Sequence, residues 1–430
     1  MDNTVLIVGM GYVGLTLSAS LLKNTKLVIS GLEKNKTIVS NLNSGRSHIY
    51  EPNINKIIKL GLSSKRIKFI SKLNNKIKFK TIVICVGTPL NFNTKKVINK
   101  SIIETCKEIE RHMYNDSLII LRSTVQIGTT RKLLKKNLSK KNKFISIAYC
   151  PERTIEGNAI YEVNNLPQLI GTEDSISKKM AEKFFFLFNR NIVHLNLFEK
   201  AELIKLIDNS FRDTYFAMSN QIGLICKKLK FSSNEIIEKA NYKFKRTNLA
   251  QIGPVGGPCL SKDPYILGQT YKNSIFQKGR IINENFVKTG CKEVENIINL
   301  NFKNKRQVNI LIFGAAFKIR PPTNDIRFSC AVNVTAHILN KNKNCKIFIY
   351  DKLVSEKDIN NLGASKINNI KNYKKADILI INSYDENLEK TKLKTLLKNS
   401  NQNLIIYSFW FINKLKNLKK KKQKLFFLAD

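Results

Sequence analysis

The sequence predicts an α/β protein. It comprises an N-terminal Rossmann-type domain, a central long-helix region and a C-terminal Rossmann-like α/β domain. Three observations predict this. The chain opens on a buried-strand run, a glycine turn and an apolar helix, VLIVGMGYVGLTLSASLL. Its last third holds four buried-strand patterns separated by helical stretches. Between them lie a long helical pattern and a glycine-rich stretch, GPVGGPCLSKDP. The boundaries fall at 1–198, 199–300 and 301–430.

In the first domain Gly9, Gly11 and Gly14 form GxGxxG around Tyr12 and Val13, and Glu33 follows the next strand-like run, KLVISGLE. The first glycine permits the turn and the second lets the backbone approach a pyrophosphate. The third packs helix against strand, and the helix N-terminus meets the anion. Glu33 is placed to accept hydrogen bonds from ribose hydroxyls and to repel a 2′-phosphate, so the expected cofactor is NAD rather than NADP. Three more strands are expected at 80–89, 117–125 and 143–152. Thr88-Pro89, Ser123-Thr124 and Pro151-Glu152 then stand at carboxyl ends, where open α/β sheets bind ligands.

In the middle region, apolar positions from 203 to 218 mark a long helix, on which Lys205 and Asn209 share a face one turn apart. On spacing alone this is either a solvated polar face or a pair of hydrogen-bond donors. Cys259 follows the Gly-Gly turn, with Lys262 and Asp263 just beyond. Glycine there allows a sharp bend and close approach of backbone N–H groups to a substrate. Nearby lysines favour a thiolate. A cysteine after Gly-Gly serves structure as well as chemistry, so both uses stay open.

The third domain begins with QVNILIFGAAFK, whose single Gly314 does not imply a second dinucleotide. Arg320, Asp325 and Arg327 follow in a turn-rich loop suited to phosphate, to another domain or to solvent. The tail, LKKKKQKLFFLAD, reads as a solvated, partly disordered end.

Composition narrows the classes. The formal net charge of +42 suggests a polyanion partner, yet the basic residues are spread throughout, as a chain rich in Lys, Asn and Ile would have them. No nucleic acid is expected. No apolar run reaches the ~18 residues of a membrane span, and the N-terminus lacks a basic leader, so a cytoplasmic protein is expected. Eight cysteines occur without a CxxC pair or zinc-ligand spacing, so no metal is expected.

Taken in order, GMGYVGL, NSGRSHIYEP, CVGTP, RSTVQIGTT, CPERTIEGNAI, AELIKLIDNSF, GPVGGPCLSKDP and GAAFK…NDIR resemble the UDP-sugar 6-dehydrogenases, the UDP-glucose and UDP-N-acetylhexosamine enzymes. The resemblance covers nearly the whole chain. It implies an NAD domain, a central dimer-forming helical region and a C-terminal UDP-sugar-binding domain, in a homodimer or higher homo-oligomer. It places catalytic roles on Cys259, Lys205, Asn209, Asp263, Thr124, Glu152 and Glu156. Cofactor contacts fall on Gly9, Gly11, Tyr12, Val13, Gly14, Glu33, Thr88, Thr124, Lys262 and Arg327. Substrate contacts fall on Glu152, Lys205, Asn209, Arg246, Gly256 and Lys318, with Arg246 reaching the neighbouring subunit's substrate.

The sequence departs from the family's pattern at Pro258, where many N-acetylhexosamine enzymes have His, and at Ser408, where relatives usually carry Asp. CPERTIEGNAI, with Arg153 after the glutamate, is more similar to the UDP-N-acetylhexosamine branch (UDP-ManNAc or UDP-GlcNAc) than to the UDP-glucose branch. The implied reaction is a four-electron oxidation at C6 to the uronic acid through a cysteine thiohemiacetal and thioester, for surface polysaccharide precursors. A UDP-glucose enzyme is the alternative. A two-electron NAD-dependent dehydrogenase would share the first domain but would have no need of Cys259.

Overall fold

A computed structural model describes residues 3–74, 76–138, 144–271, 273–370, 375–383, 386–412 and 415–428, with side chains from 386 to 392 outside the description. The chain forms two compact units, Met1–Asp208 and Asn209–Asp430.

The first unit is built on β1 (Thr4–Val8), β2 (Val28–Leu32), β3 (Ile67–Ile70), β4 (Phe79–Ile84), β5 (Met113–Leu121), β6 (Ser146–Tyr149), β7 (Gln168–Gly171) and β8 (Ile192–Leu195). They lie in the order β3-β2-β1-β4-β5-β6-β7-β8. Every pairing is parallel except β6 with β7. Parallel strands are covered on both faces, which is why β1 and the carboxyl-terminal halves of β4 (TIVI) and β5 (LIIL) are β-branched and leucine runs. Val5 and Ile7 pack into one core with Leu15 and Ile58, while Leu6 and Val8 face the opposite core with Ile102 and Phe198.

The second unit carries β9 (Val308–Phe313), β10 (Cys345–Tyr350), β11 (Ser365–Lys366), β12 (Ile378–Ile381), β13 (Ile405–Ser408) and β14 (Lys424–Phe427). Its order is β11-β10-β9-β12-β13-β14, all parallel. This repeats the arrangement of the first six strands. One face of this sheet packs against the helix Ile275–Phe302 through Phe286, Val287, Val294 and Ile298, with Ile237 and Ile252 in the same core. The central segment after Asp208 therefore shares its core with the C-terminal sheet. The helix Phe198–Leu229 runs across the division between the units.

The expected fold class is found, and the strand ends differ in detail. β4 stops at Ile84 and β6 at Tyr149, so Thr88 and Glu152 lie on loops beyond their strands. β3, β7, β8, β11 and β14 are short and broken by polar or charged residues or glycine, unlike the equally short apolar run of β12, so they carry no readable pattern. The tail needs correction. Lys424–Phe427 is a strand paired to β13, and Phe427 and Leu428 are buried. Gln423, also buried, donates to Ser400 Oγ at 3.1 Å and to the Asn401 carbonyl at 3.0 Å. Four preceding lysines hid an apolar edge strand. Ending the chain after Lys422 is expected to lower the urea stability of the second unit by about 3 kcal/mol or more, since each large buried apolar side chain contributes roughly 1.5–3 kcal/mol.

Candidate active site

At the end of β1, Gly9 turns the chain with φ +92°, and a Cβ there would lie 2.9 Å from the Cys85 carbonyl. At Gly14 a Cβ would lie 2.0 Å from the Gly9 carbonyl, so the helix Tyr12–Asn24 can cross the turn only without a side chain. At Gly11 nothing lies within 4 Å of a Cβ position, and no side chain caps the helix N-terminus. One face of the turn is thus open while the other is closed. The Glu33 carboxylate accepts the Met10 N–H at 3.0 Å and the Asn35 N–H at 3.0 Å, one on each oxygen, leaving acceptor capacity on both. These residues fit NAD: an open glycine face and helix N-terminus for the pyrophosphate, and an acid for the ribose.

Tyr12 leaves that helix to donate to Glu51 and to accept the Gly157 N–H at 2.7 Å. Glu51 also accepts from Gly157 at 2.8 Å and Ile160 at 3.2 Å. Burial first, then the bond to Glu51, pushes the Tyr12 hydroxyl far above its usual range. Val13 is half-buried in the first turn, and Glu156 lies close enough to add its charge to that effect on Tyr12.

The loops after β4, β5 and β6 meet. Thr88 Oγ donates to the Thr124 carbonyl, and Ser123 Oγ donates to the Val86 carbonyl at 2.6 Å. Beneath them Arg122, 2 % exposed, donates to Glu152 and, at 2.8 Å, to Gln168 Oε1. The other Glu152 oxygen accepts the N–H groups of Arg153 at 2.8 Å and Thr154 at 3.0 Å. Burial favours the neutral acid, but Arg122, the Thr154 N–H and the nearby charge of Lys205 outweigh it and hold Glu152 below the usual carboxylate range. Lys205 is itself buried on the helix Phe198–Leu229. From the same helix Glu202 accepts Gly128 N–H at 2.5 Å and Thr130 N–H at 2.9 Å, fixing the loop that follows Thr124.

In the second unit Asn209 donates to Asp263 Oδ2 at 2.6 Å. Asp263 is fully buried, and its Oδ1 makes no hydrogen bond. It opens the helix Asp263–Gly268, its N–H bonded to the Cys259 carbonyl at 2.9 Å. Cys259 is exposed, and Lys262 is half-buried at the helix N-cap. The glycines before it are pressed against aromatic and backbone neighbours. A Cβ would lie 2.2 Å from Trp410 at Gly253, 2.4 Å from the Phe328 carbonyl at Gly256, and 2.7 Å from the Phe317 ring at Gly257. Ser408, in the place of the family's Asp, bonds the Trp410 carbonyl at 2.7 Å.

The remaining predicted residues lie on loops. Lys318 stands over the Phe317 ring at 5.8 Å, and Arg327 lies on Asp325, with Nε 2.8 Å from Oδ2. Arg246 is exposed, stacked on Phe244 at 4.8 Å. Sequence reasoning missed Arg122, Gln168, Glu51 and Glu202. Of these, Arg122 had a local signal, its place directly before Ser123-Thr124 at a strand end, and Glu51 stood inside the NSGRSHIYEP stretch.

The first unit, with its open glycine turn and acidic ribose position, defines a dinucleotide-dependent oxidoreductase. Comparison with known proteins is more specific. Residues 3–189 match the NAD binding domain of the UDP-glucose/GDP-mannose dehydrogenase family, 199–285 its central domain and 311–412 its UDP binding domain. UDP-N-acetyl-D-mannosamine dehydrogenase of Yersinia pestis is 30% identical over 351 residues, 77% of this chain and 81% of the relative. A solved UDP-D-ManNAc dehydrogenase from Pyrococcus horikoshii superposes with a TM-score of 0.80 at 23% identity, covering 99% of each chain. A UDP-glucose dehydrogenase from Pyrobaculum islandicum gives 0.80 at 21%, covering 99% of this chain and 97% of that one. The chain belongs to the UDP-glucose/GDP-mannose dehydrogenase family and is an NAD-dependent UDP-sugar dehydrogenase.

The buried Arg122–Glu152 pair generates a pH prediction. Arg122→Met leaves an unpaired buried carboxylate and is expected to cost about 3–5 kcal/mol at pH 7. Because the folded Glu152 is held below its unfolded value, the pair's contribution is present above the ordinary glutamate range and lost as pH falls through the lower folded value. Urea midpoints of both proteins should therefore converge as pH falls below the ordinary glutamate range and through the lower folded value of Glu152.

Proposed function

We propose that this enzyme oxidises the C6 hydroxyl of a UDP-N-acetylhexosamine, UDP-ManNAc or UDP-GlcNAc, to the uronic acid, yielding a precursor for surface polysaccharide. The observation that carries the four-electron chemistry is the exposed Cys259 thiol, on a helical turn that ends at the buried Asp263. The sugar rests on the Yersinia pestis relative, a UDP-N-acetyl-D-mannosamine dehydrogenase, and on Arg153, whose guanidinium meets Asp208 at 2.6 Å.

The residues divide the work as follows. Gly9, Gly11, Tyr12, Val13, Gly14, Glu33, Thr88, Thr124, Lys262 and Arg327 hold the cofactor. Bound NAD+ supplies a hydride acceptor twice, so one alcohol and one water give one carboxylate, two NADH and three protons. Glu152, Arg246, Gly256 and Lys318 hold the UDP-sugar, with Glu156 beside them. Cys259 adds as thiolate to the C6 aldehyde carbon, forming a C–S bond and an alkoxide. Lys205 and Asn209 donate to that alkoxide; the Asn209 amide keeps one N–H after bonding Asp263. The resulting thioester is cleaved by water, which gives its proton to Asp263 while the C–S bond breaks and the thiol is regenerated. Asp263 suits this step because Oδ1 makes no hydrogen bond, whereas Glu152 has given up basicity to Arg122. Glu152 and Thr124 orient that water.

The enzyme works in the cytoplasm as a homodimer or larger homo-oligomer. Supporting this, no helix among the described residues is long and apolar enough to cross a membrane. The helix Phe198–Leu229 also exposes a stripe of Phe211, Met218, Ile225 and Leu229, spaced by one or two turns, which a second copy would cover.

Two measurements test the proposal. Cys259→Ala should abolish the uronic acid from UDP-ManNAc, UDP-GlcNAc and UDP-glucose alike. Wild type should form two NADH per sugar and prefer an N-acetylhexosamine, and acid formation by Cys259→Ala at a near-normal rate would end the covalent mechanism. Phe211→Glu should shift light scattering from dimer toward monomer; a wild type that is monomeric and fully active overturns the shared assembly.

A further inference from the structure

Cys259 sits in a segment that has no ladder to hold it. From 247 to 256 the backbone is neither helix nor strand, and 257–262 is a run of turns. Its main-chain groups are instead taken by side chains from two long helices. Asn220, on Phe198–Leu229, receives the Gly253 N–H on Oδ1 and donates to the Gly253 carbonyl through Nδ2, both at 3.0 Å. Arg280, on Ile275–Phe302, donates from Nη2 to the Val255 carbonyl at 3.1 Å and from Nη1 to the Leu260 carbonyl at 3.4 Å. Those carbonyls flank Gly256-Gly257-Pro258-Cys259, so one guanidinium spans the chord of the bend.

The guanidinium is fixed in turn. Arg280 is 2 % exposed and Asp213 fully buried, with Nη1 2.9 Å from Asp213 Oδ1. Asn283 donates to the same Asp213 oxygen and to the Asp213 carbonyl, each at 2.9 Å, and accepts from Asn220 at 2.8 Å. Every member is buried, and together they hold both ends of the segment. The Phe317 side chain and the Phe328 carbonyl close on its glycines.

We propose that Arg280 is a positioning residue for the covalent step, its forked contacts to Val255 and Leu260 setting where the Cys259 thiol stands, with Asp213, Asn283 and Asn220 orienting the fork. The inference rests on the assignment of Cys259 as nucleophile. Lysine keeps the charge beside Asp213 but offers no planar fork for two separated carbonyls. Arg280→Lys should leave the thiol present and misplaced. A shift of the order of 1 Å is worth about 100-fold in rate. The loss should fall on capture of the aldehyde rather than on UDP-sugar binding.

The experiment compares wild type, Arg280→Lys and Cys259→Ala on the same UDP-sugar. The expected result for Arg280→Lys is a kcat lower by about 10–100-fold with a UDP-sugar Kd within about threefold. NADH per sugar should fall below two, with free aldehyde trapped by a carbonyl reagent. A kcat within about twofold of wild type, or a loss that only tracks the folded fraction while two NADH still form per sugar, overturns the proposal. Should Arg280→Lys fail to fold, Asn220→Ala, which frees the Gly253 end, is judged by the same four readouts. Acid production by Cys259→Ala removes the nucleophile and this inference with it. An inert Cys259→Ala beside an unaltered Arg280→Lys removes the inference alone.

Discussion

The second unit depends on one buried charge pair, Asp213 with Arg280. Removing either ion from water costs several kcal/mol, and their attraction offsets this only when the remaining donors and acceptors are also met. Here Asn283 and two loop carbonyls meet most of them. Burial, with the Glu284 charge adding to it, still pushes the Asp213 carboxyl up to about 6 against the opposing pull of Arg280 and Asn283, and its Oδ2 makes no hydrogen bond. The pair thus joins two helices and a loop that share no backbone ladder, and the loop is the one carrying the exposed thiol.

The first unit uses the same device with the opposite balance. Arg122 is also buried against a carboxylate, but Glu152 gains two backbone N–H groups and a neighbouring lysine and ends below its ordinary range. The two sheets likewise share one plan with different outcomes. In the first, Glu33 gives one oxygen to the glycine turn and one to the next loop, and the turn stays open at Gly11. In the second, Asp351 at the equivalent strand end accepts the Ala315 and Ala316 N–H groups on one oxygen and those of Leu353 and Val354 on the other. Four bonds leave that acid as a brace for backbone. This is a physical reason for the second sheet to lack a dinucleotide's ribose partner despite its order.

Much of this was legible in the sequence because its determinants are local. The glycine turn, Glu33 and the strand runs of β1, β4, β9 and β12 are each decided within about a dozen residues. Gly-Gly before Cys259 announced a bend for the same reason. The supports of the site were not legible, since they join distant residues: Glu202 reaches Thr130 across 72 positions and Arg280 reaches Asp213 across 67. Arg280 and Asn283 carry no local mark of their role, because one sequence records no partner. The tail misled for a different reason. Its lysine run dominates composition, while the pairing that orders Lys424–Phe427 is supplied by β13.

The distribution of the eight thiols has a practical side. Burial pushes Cys85, Cys106, Cys150 and Cys291 up to about 12, Cys345 up to about 11 and Cys330 further still, while Cys226 lies inside the protein. At neutral pH those six raised groups hold almost no thiolate. Cys259 alone is exposed. A chromogenic disulfide added to native protein therefore counts accessible Cys259 thiols, one per chain, before any turnover begins. Denaturing the sample then releases the other seven as an internal measure of total polypeptide. The protein carries its own titration standard.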